Sequence, residues 1–338
     1  MPIYRSLMGV ARGVAAGTLS GSTTIATGTS PRRVCISADG TSVYTANLTS
    51  SGNVSIFTRN TSTGALSGST TIAALTSPFG VAVSPDGLSV YASNNGSAKI
   101  SIFTRNVTTG ALSGSTNIAC GSNPYSVCVS ADNKNVYSAN YGSSSVSIFT
   151  RNTSTGALSG TTTIATGANP TGIAVSPDGS SVYASNNSTT TLSIFTRNTS
   201  TGALSGTTTI TCGTAPFAVC VSADNKNVYS ANYNTNNVSI FTRNTSTGAL
   251  SGTTTIATGV SFPTDITISA DGLNVYVANG GGGTIAAFSR NTSTGALTAL
   301  GTSPAGAVSY GLCISANGKN VYSTSSSNAT VTQLNRAP

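Results

Sequence analysis

The chain has 338 residues, a net charge of +8 and seven acidic residues, but no His and no Trp. Without His, neither a Ser–His–Asp triad nor a Cys/His zinc site is possible, so hydrolases and metalloenzymes of those kinds are excluded. We expect no metal site and no cofactor.

Residues 1–16 lie outside the pattern that fills the rest of the chain. Their apolar side chains include Ile3, Tyr4, Leu7, Met8 and Val10. Arg12 interrupts the apolar stretch, so the segment does not match a secretion signal. No other segment approaches the roughly 18 apolar residues of a membrane-spanning helix, so no membrane span is predicted. We predict that residues 1–16 are an arm that docks onto a protein partner.

A unit of 46 or 47 residues repeats through the remainder of the chain. One position in each copy marks this period, and its occupants are Asp39, Asp86, Asp132, Asp178, Asp224, Asp271 and Asn317. A fixed period of this size is typical of repeat architectures. The seven marked positions therefore predict seven structural units.

Each unit is predicted to contain four strands, as residues 64–106 and the turn after them illustrate. An apolar run at residues 80–84 leads into the sequence Ser-Pro-Asp-Gly, which favours a tight turn. Residues 89–94, 99–105 and 111–119 are rich in Val, Ile, Tyr, Phe and Thr and lack helical spacing. Four antiparallel strands at this period predict one blade of a β-propeller.

The two ends of the repeat complement each other. Residues 17–28 match a fourth strand without the first three, and residues 310–336 supply three strands without a fourth. We therefore predict an all-β, seven-bladed propeller at residues 17–338. Its N-terminal strand would complete blade 7 and so remove an open sheet edge.

Arg recurs at the end of the third strand, near the Asp of the turn. Its copies are Arg59, Arg105, Arg151, Arg197, Arg243, Arg290 and Arg336. We favour a rim of exposed ion pairs, each worth about 0–1 kcal/mol, over a weakly basic face that docks an acidic partner. Because no basic stripe with interleaved aromatic residues is present, nucleic acid is not an expected partner.

The six cysteines fall into two groups. Four of them, Cys35, Cys128, Cys220 and Cys313, share one position of the first strand, where other blades carry Ala or Thr. A small buried thiol explains this position. Cys120 and Cys212 each precede a member of that set by eight residues. The disulfides Cys120–Cys128 and Cys212–Cys220 therefore stay open alternatives, since sequence does not fix connectivity.

The repeat resembles two known groups of propellers. It resembles YVTN-type surface propellers and phosphogluconolactonase-type lactonase propellers. The shared features are the Ser-Pro-Asp-Gly turn, the VYASN or VYSAN strand, a third strand that ends in Phe-x-Arg, and the Thr-Gly-Ala-Leu turn. The resemblance covers about residues 17–336. It implies a seven-bladed propeller, and its lactonase-like members imply hydrolysis of sugar lactones at the mouth of the channel.

Aromatic side chains cluster in the loops that are predicted to surround this mouth. The candidate binding residues are Arg32, Phe79, Tyr125, Tyr141, Phe217, Tyr233 and Tyr310, and amides lie among them. Such a surface suits a carbohydrate or a protein ligand, because flat rings stack and amides fix orientation. The alternative is that the rings only pack the loops together.

Two functions from different classes follow from these observations. In the favoured one, the chain is a non-enzymatic structural or binding module that is displayed on a larger assembly, either a virion or a cell surface. The other is a lactonase-like hydrolase. Its general base would be Asp265, which is the Asp outside the marked turn positions, with Arg32 or Arg33 nearby to stabilise an oxyanion.

Overall fold

The computed structural model describes residues 14–338. This part of the chain contains 28 β-strands, which form seven four-stranded antiparallel sheets. The innermost strand of each sheet contacts the innermost strands of both neighbours, so the sheets close into a ring. Over these residues the structure has no helix of the length and hydropathy that a membrane span requires. The prediction of a seven-bladed β-propeller is confirmed.

The strands are numbered in chain order, and β1 (Leu19–Ala26) belongs to the last blade. Blade 1 contains β2 (Pro31–Ile36), β3 (Ser42–Asn47), β4 (Asn53–Arg59) and β5 (Leu66–Ala73). Blade 2 contains β6 (Pro78–Val83), β7 (Ser89–Asn94), β8 (Lys99–Arg105) and β9 (Leu112–Ala119). Blade 3 contains β10 (Pro124–Val129), β11 (Asn135–Asn140), β12 (Ser145–Arg151) and β13 (Leu158–Ala165).

Blade 4 contains β14 (Pro170–Val175), β15 (Ser181–Asn186), β16 (Thr191–Arg197) and β17 (Leu204–Thr211). Blade 5 contains β18 (Pro216–Val221), β19 (Asn227–Asn232), β20 (Asn237–Arg243) and β21 (Leu250–Ala257). Blade 6 contains β22 (Pro263–Ile268), β23 (Asn274–Asn279), β24 (Thr284–Arg290) and β25 (Leu297–Pro304). Blade 7 contains β26 (Ser309–Ile314), β27 (Asn320–Ser325), β28 (Thr330–Arg336) and β1.

Burial changes across each blade from the channel to the perimeter. Every residue of the second strand is buried, and five consecutive Ser, Gly, Thr or Asn residues of the outermost strand are exposed in blades 1 to 5. The first strand of blade 2 begins two residues before the predicted run, at Pro78, and ends at Val83. Pro suits the first residue of a strand because it has no N–H to donate. Ser84 belongs to the turn instead, where its hydroxyl donates to Asp86.

The N-terminal strand closes the ring. Strand β1 pairs antiparallel with β28, and the N–H of Gly17 donates to the carbonyl of Ala337 at 2.9 Å. The predicted completion of blade 7 is therefore confirmed. The five apolar residues of the proposed docking arm, Ile3, Tyr4, Leu7, Met8 and Val10, lie outside the described residues.

A three-residue contact, which we call the Tyr–Arg–Asp clamp, joins blades at the rim. Between blades 2 and 3, Tyr91 donates its hydroxyl hydrogen to the carbonyl of Gly156 at 2.7 Å. Arg151 then donates through Nε to the same Tyr91 oxygen and pairs with Asp86, both at 2.7 Å. The corresponding Tyr and Arg residues make these contacts between blades 1 and 2, 3 and 4, 4 and 5, and 5 and 6. Between blades 6 and 7, Arg336 pairs with Asp271 and donates to Asn274.

The interpretation of the rim as exposed ion pairs is wrong. The five Arg side chains that form full clamps are at most 1% exposed, and each pairs with an Asp of the preceding blade. The end of the third strand overlies the neighbouring blade, so the guanidinium is enclosed between two sheets. Removing one member of a buried pair leaves an uncompensated charge, which costs several kcal/mol. These residues therefore hold the ring together.

The junction between blades 7 and 1 differs from the other junctions, and we call it the seam. Here Asn317 occupies the position of the clamp Asp. Arg59 is 3% exposed and donates to Tyr322, to Asn320 at 2.6 Å and to the carbonyl of Gly40 at 2.9 Å. Among residues 14–338 it has no carboxylate partner.

Candidate functional site

The innermost strands present two tiers of side chains at the mouth of the channel. Their register shifts after the first residue, as between Pro78 and Gly80, and such bulges re-aim side chains beside functional sites. The upper tier is Arg32, Phe79, Tyr125, Thr171, Phe217, Thr264 and Tyr310. The lower tier is Arg33, Gly80, Ser126, Gly172, Ala218, Asp265 and Gly311.

The two charged members of the lower tier form an ion pair. Nη1 of Arg33 contacts Oδ1 of Asp265, and the two side chains are 10% and 11% exposed. The pair spans blade 7, because Arg33 lies in blade 1 and Asp265 in blade 6. Blade 7 carries Gly311 at this position, and a Cβ there would lie 2.3 Å from the carbonyl oxygen of Arg32. Glycine therefore allows the close strand approach over which the pair forms.

The Asp265 carboxylate is held by the backbone as well as by Arg33. Oδ1 accepts a hydrogen bond from the N–H of Ile266 at 3.0 Å, and Oδ2 accepts one from the N–H of Leu312 at 2.8 Å. Donors from blades 6, 7 and 1 therefore fix its orientation. Of the two Arg residues that the sequence offered as partners, the structure places Arg33 beside Asp265.

Arg32 precedes Arg33 in β2 and contacts two aromatic rings. Its guanidinium carbon is 4.4 Å from the ring centroid of Tyr310 and 5.7 Å from that of Phe79, within the range of cation–π attraction. The Nε atoms of Arg32 and Arg33 are buried and donate no hydrogen bond to the described residues. Two neighbouring arginines thus each have one buried donor without an acceptor among the described residues.

The aromatic residues predicted at the mouth come together in one cluster. Phe79 and Tyr125 are 4.2 Å apart between ring centroids, and Tyr310 meets the edges of Phe79 and Phe217 at 5.5 and 5.8 Å. Two further pairs extend the cluster outwards, Tyr125–Tyr141 at 4.8 Å and Phe217–Tyr233 at 5.8 Å. The rings pack on each other over the channel rather than standing apart around it.

Burial affects the tyrosines of the cluster unequally. Desolvation raises the pKa of Tyr310 to about 12, and it also raises the pKa of Tyr125. Both phenols are therefore neutral hydrogen-bond donors at neutral pH. Phe79 is only 3% exposed, so the centre of the cluster offers little open ring surface.

Sequence reasoning missed one member of the cluster. Phe262 stacks on Tyr233 at 4.8 Å with 22° between the ring planes, and it has a φ of 60°. Five other blades carry Ser, Asn or Ala at this position before the first strand. A bulky residue with positive φ is strained, and such strain gathers at functional sites. The departure from the repeat was the available signal.

A small cavity lies between the innermost strands of blades 1 to 6. Its volume is about 90 Å³, and Arg33 and Asp265 line it together with Ser126 and the glycines Gly80 and Gly172. A cavity of this size holds a few water molecules, whose share of liquid volume is about 30 Å³ each. It therefore has room for water next to a carboxylate and a guanidinium.

The cysteines supply no further chemistry in the structure. All six are free thiols, so Cys120–Cys128 and Cys212–Cys220 are not bonded. Burial raises the pKa of Cys120 and of Cys212 to about 12, which disfavours the reactive thiolate. Among residues 14–338, no group of three or more Cys and Asp side chains is placed to hold a metal ion.

Comparison with known proteins gives a family match and structural neighbours. The model of the family described as "Lactonase, 7-bladed beta-propeller" matches residues 6–82, 69–174, 123–219 and 207–316. No functionally curated protein matches the chain.

Three solved structures illustrate the structural likeness. A provisionally assigned 6-phosphogluconolactonase of Bacteroides uniformis has a TM-score of 0.72 and 24% identity, over 87% of this chain and 89% of its own. The periplasmic gluconolactonase PpgL of Pseudomonas aeruginosa has a TM-score of 0.70 and 17% identity, over 80% and 85%. The hydrazine synthase of Kuenenia stuttgartiensis has a TM-score of 0.72 and 17% identity, over 91% and 96%. At these identities the TM-scores show a shared fold alone.

The expectation of a non-enzymatic structural or binding module is wrong, whereas its location on a virion or cell surface stays a prediction. The family match spans residues 6–316 and describes enzymes, so it favours the alternative of a lactonase-like hydrolase. The chain has no His, and its seven acidic residues are all Asp, so it has no Glu. That absence excludes only mechanisms that need those residue types, and it leaves Asp265 and the two arginines in place.

Proposed function

The chain belongs to the lactonase family of seven-bladed β-propellers, and on this basis we propose that it hydrolyses the ester bond of a lactone at the mouth of its channel. The observation that carries the proposal is the buried Arg33–Asp265 pair beside a cavity of about 90 Å³. The other Asp residues form or border blade junctions at the rim. This one faces the channel.

The pair supplies the two groups that lactone hydrolysis needs. Asp265 accepts a proton from a water molecule as the water oxygen attacks the carbonyl carbon. Arg33 donates hydrogen bonds to the oxyanion of the tetrahedral intermediate, with its unpaired Nε available as a donor. Asp265 then returns the proton to the ring oxygen as the bond from that oxygen to the carbonyl carbon breaks. The product is an open-chain hydroxy acid.

Substrate entry requires the aromatic cluster to open. A cavity of about 90 Å³ is too small for a sugar lactone, whereas ligand pockets are usually about 300–1,000 Å³. Arg32 and Tyr310 contact each other in the aromatic cluster, with 4.4 Å between the guanidinium carbon and the ring centroid. Separation of these two side chains admits the lactone and leaves Arg32 free to bind its polar substituents.

The names of two structural neighbours support a sugar lactone as the substrate class. One is provisionally assigned as a 6-phosphogluconolactonase and the other is a periplasmic gluconolactonase. The hydrazine synthase neighbour has the same fold under another name, so the fold alone does not decide the activity. Family membership and the channel pair are the stronger support.

The test is hydrolysis of glucono-δ-lactone and of an unsubstituted δ-lactone, measured against the spontaneous rates. We expect turnover by the parent protein and a loss of about 10²-fold or more in kcat for Asp265→Asn. Arg33→Met removes the oxyanion donor and should cost a similar factor. Asp271→Asn, at the rim, serves as the control and should retain kcat.

Two results would contradict the proposal. The first is a parent protein that is no faster than spontaneous hydrolysis on every lactone. The second is an Asp265→Asn variant with full activity. Because the pair also bridges three blades, the melting temperature of each variant is measured alongside, so that lost activity is assigned to chemistry only in folded protein.

A further inference from the structure

A second depression lies on the same face, away from the channel axis. It has a volume of about 470 Å³ and separates the loops of blades 4 and 5. Its lining includes Asn187, Thr190, Thr214, Tyr233 and Asn234, and every lining residue is uncharged. We call it the Tyr233 groove. Its volume falls within the range of small-molecule sites.

Tyr233 is held rigidly at the edge of this groove. Phe262 stacks on it from the blade 6 side, at 4.8 Å, and Phe217 lies 5.8 Å away. Tyr233 lines the groove, whereas Phe262 and Phe217, which contact its ring, do not. A ring that is already fixed in place loses little conformational entropy when a ligand stacks on it.

Amides and hydroxyls surround the ring. Asn234 and Thr214 are exposed, and their side chains form no hydrogen bond with the described residues. Nδ2 of Asn187 reaches the carbonyl of Ala215 only at 3.5 Å, which is longer than a good hydrogen bond. The groove thus combines one fixed aromatic ring with donors and acceptors that are available to a ligand.

We propose that the Tyr233 groove binds a neutral carbohydrate chain, with one sugar ring stacked on Tyr233 and its hydroxyls bonded by Asn187, Thr214 and Asn234. The C–H faces of a sugar suit an aromatic ring, and its hydroxyls match amides that both donate and accept. The absence of charge in the lining disfavours an anionic ligand, which would be desolvated without compensation. This binding is separate from the proposed hydrolysis.

Blade 3 provides a matched control for this site. Tyr141 occupies the position that Tyr233 has in blade 5, 92 residues earlier in the duplicated sequence. It stacks on Tyr125 of its own blade at 4.8 Å. The residue of the next blade that corresponds to Phe262 is Asn169. Its Nδ2 donates to the carbonyl of Tyr141 at 2.8 Å, so no aromatic ring from the next blade stacks on Tyr141 at this position.

The test is calorimetric titration of the full chain with cellohexaose, maltohexaose and chitohexaose, and with trigalacturonate as a charged probe. We expect at least one neutral hexasaccharide to bind with a Kd of about 1 mM or tighter, and trigalacturonate to bind at least tenfold more weakly. Tyr233→Ala should weaken binding about tenfold or more. Tyr233→Phe keeps the ring and should bind within about threefold of the parent, as should Tyr141→Ala.

The proposal is overturned if no neutral hexasaccharide binds at about 10 mM, if trigalacturonate binds best, or if Tyr233→Ala binds like the parent. It is also overturned if Tyr141→Ala loses as much affinity as Tyr233→Ala. Near-ultraviolet circular dichroism confirms that each variant is folded. No lactone is present in these titrations, so failure of the proposed hydrolysis leaves their outcome unaffected.

Discussion

The rim and the mouth of the channel are built from the same seven repeats, but the copies are kept alike at one and differ at the other. At the rim, every blade supplies the same Arg and six of the seven supply the same Asp. At the mouth, the lower tier reads Arg, Gly, Ser, Gly, Ala, Asp and Gly around the ring. Identical junctions need identical residues, whereas a single reactive pair needs two blades to diverge. In a repeat protein, the positions where copies differ are therefore the place to look for chemistry.

The largest difference in stability between the two regions is expected when one Arg at the rim and one Arg at the mouth are each replaced by Met. Arg151→Met breaks a clamp whose Arg side chain is 0% exposed, and it removes the cation that pairs with Asp86 and donates to Tyr91. We expect the free energy of unfolding to fall by about 3 kcal/mol. Arg32→Met removes only a cation–π contact and should cost less than about 1 kcal/mol. Urea denaturation at neutral pH measures both, and equal losses would contradict the division between rim and mouth.

A smaller effect is expected from acid. Burial disfavours ionisation of Asp39, but hydrogen bonds from Ser37, from Thr41 and from Arg105 outweigh it and lower its pKa to about 2. The pKa of Asp178 is likewise about 2, against about 3.9 in an unfolded chain.

Because the folded pKa is the lower one, this stabilisation is complete above about pH 4 and is lost as the pH falls towards 2. We expect the melting temperature to drop across that interval, and to drop less in Asp39→Asn, which has one such group fewer. Circular dichroism melts between pH 2 and 6 provide the measurement. A melting temperature that stays constant from pH 4 to 2 would show that the rim carboxylates do not stabilise the ring.

The smallest effect is expected at the seam. Asn317→Asp places a carboxylate opposite Arg59 and keeps the oxygen that accepts from Ser315 at 2.7 Å and from the N–H of Lys319 at 3.1 Å. We expect a gain of about 0.5–1 kcal/mol in the free energy of unfolding.

The control for the seam is Asn152→Asp, which adds the same charge in an exposed turn. Its Oδ1 accepts from the N–H groups of Ser154 and Thr155, and Asp retains both bonds. We expect no gain from this variant. If both variants change the stability equally in urea denaturation, the missing carboxylate is not what distinguishes the seam.

The seven-bladed architecture could be predicted from the sequence because the same pattern of strands and turns occurs seven times. The period, the strand order within a blade and the closure by residues 17–28 all follow from local patterns that recur. The environment of the rim arginines was not predictable in the same way. Arg105 and Asp39 are 66 residues apart, and the burial of their contact depends on how neighbouring blades overlap.

The candidate site was only partly predictable. Its aromatic residues could be placed at the mouth, but whether they stand apart or pack together depends on ring-to-ring distances such as the 4.2 Å between Phe79 and Tyr125. Asp265 was identified from its departure from the repeat. Its bond from Leu312 depends on the glycine of blade 7, which no local pattern in the sequence connects to it.

Closure by β1 has a consequence for how the protein folds during synthesis. Strand β1 has the sequence LSGSTTIA, and so does β5, the outermost strand of blade 1. Its own partner β28 is made more than 300 residues later, or roughly 15–60 s later at the usual rate of translation. Until then β1 lacks its native partner and can compete for β4, because it has the same eight residues as β5, with which β4 pairs in the native ring. The native ring therefore forms only if β5, tied to β4 by a short hairpin, outcompetes β1, and loop closure favours the shorter connection. The turn that follows Arg59 thus decides which of two identical strands remains free to complete the last blade.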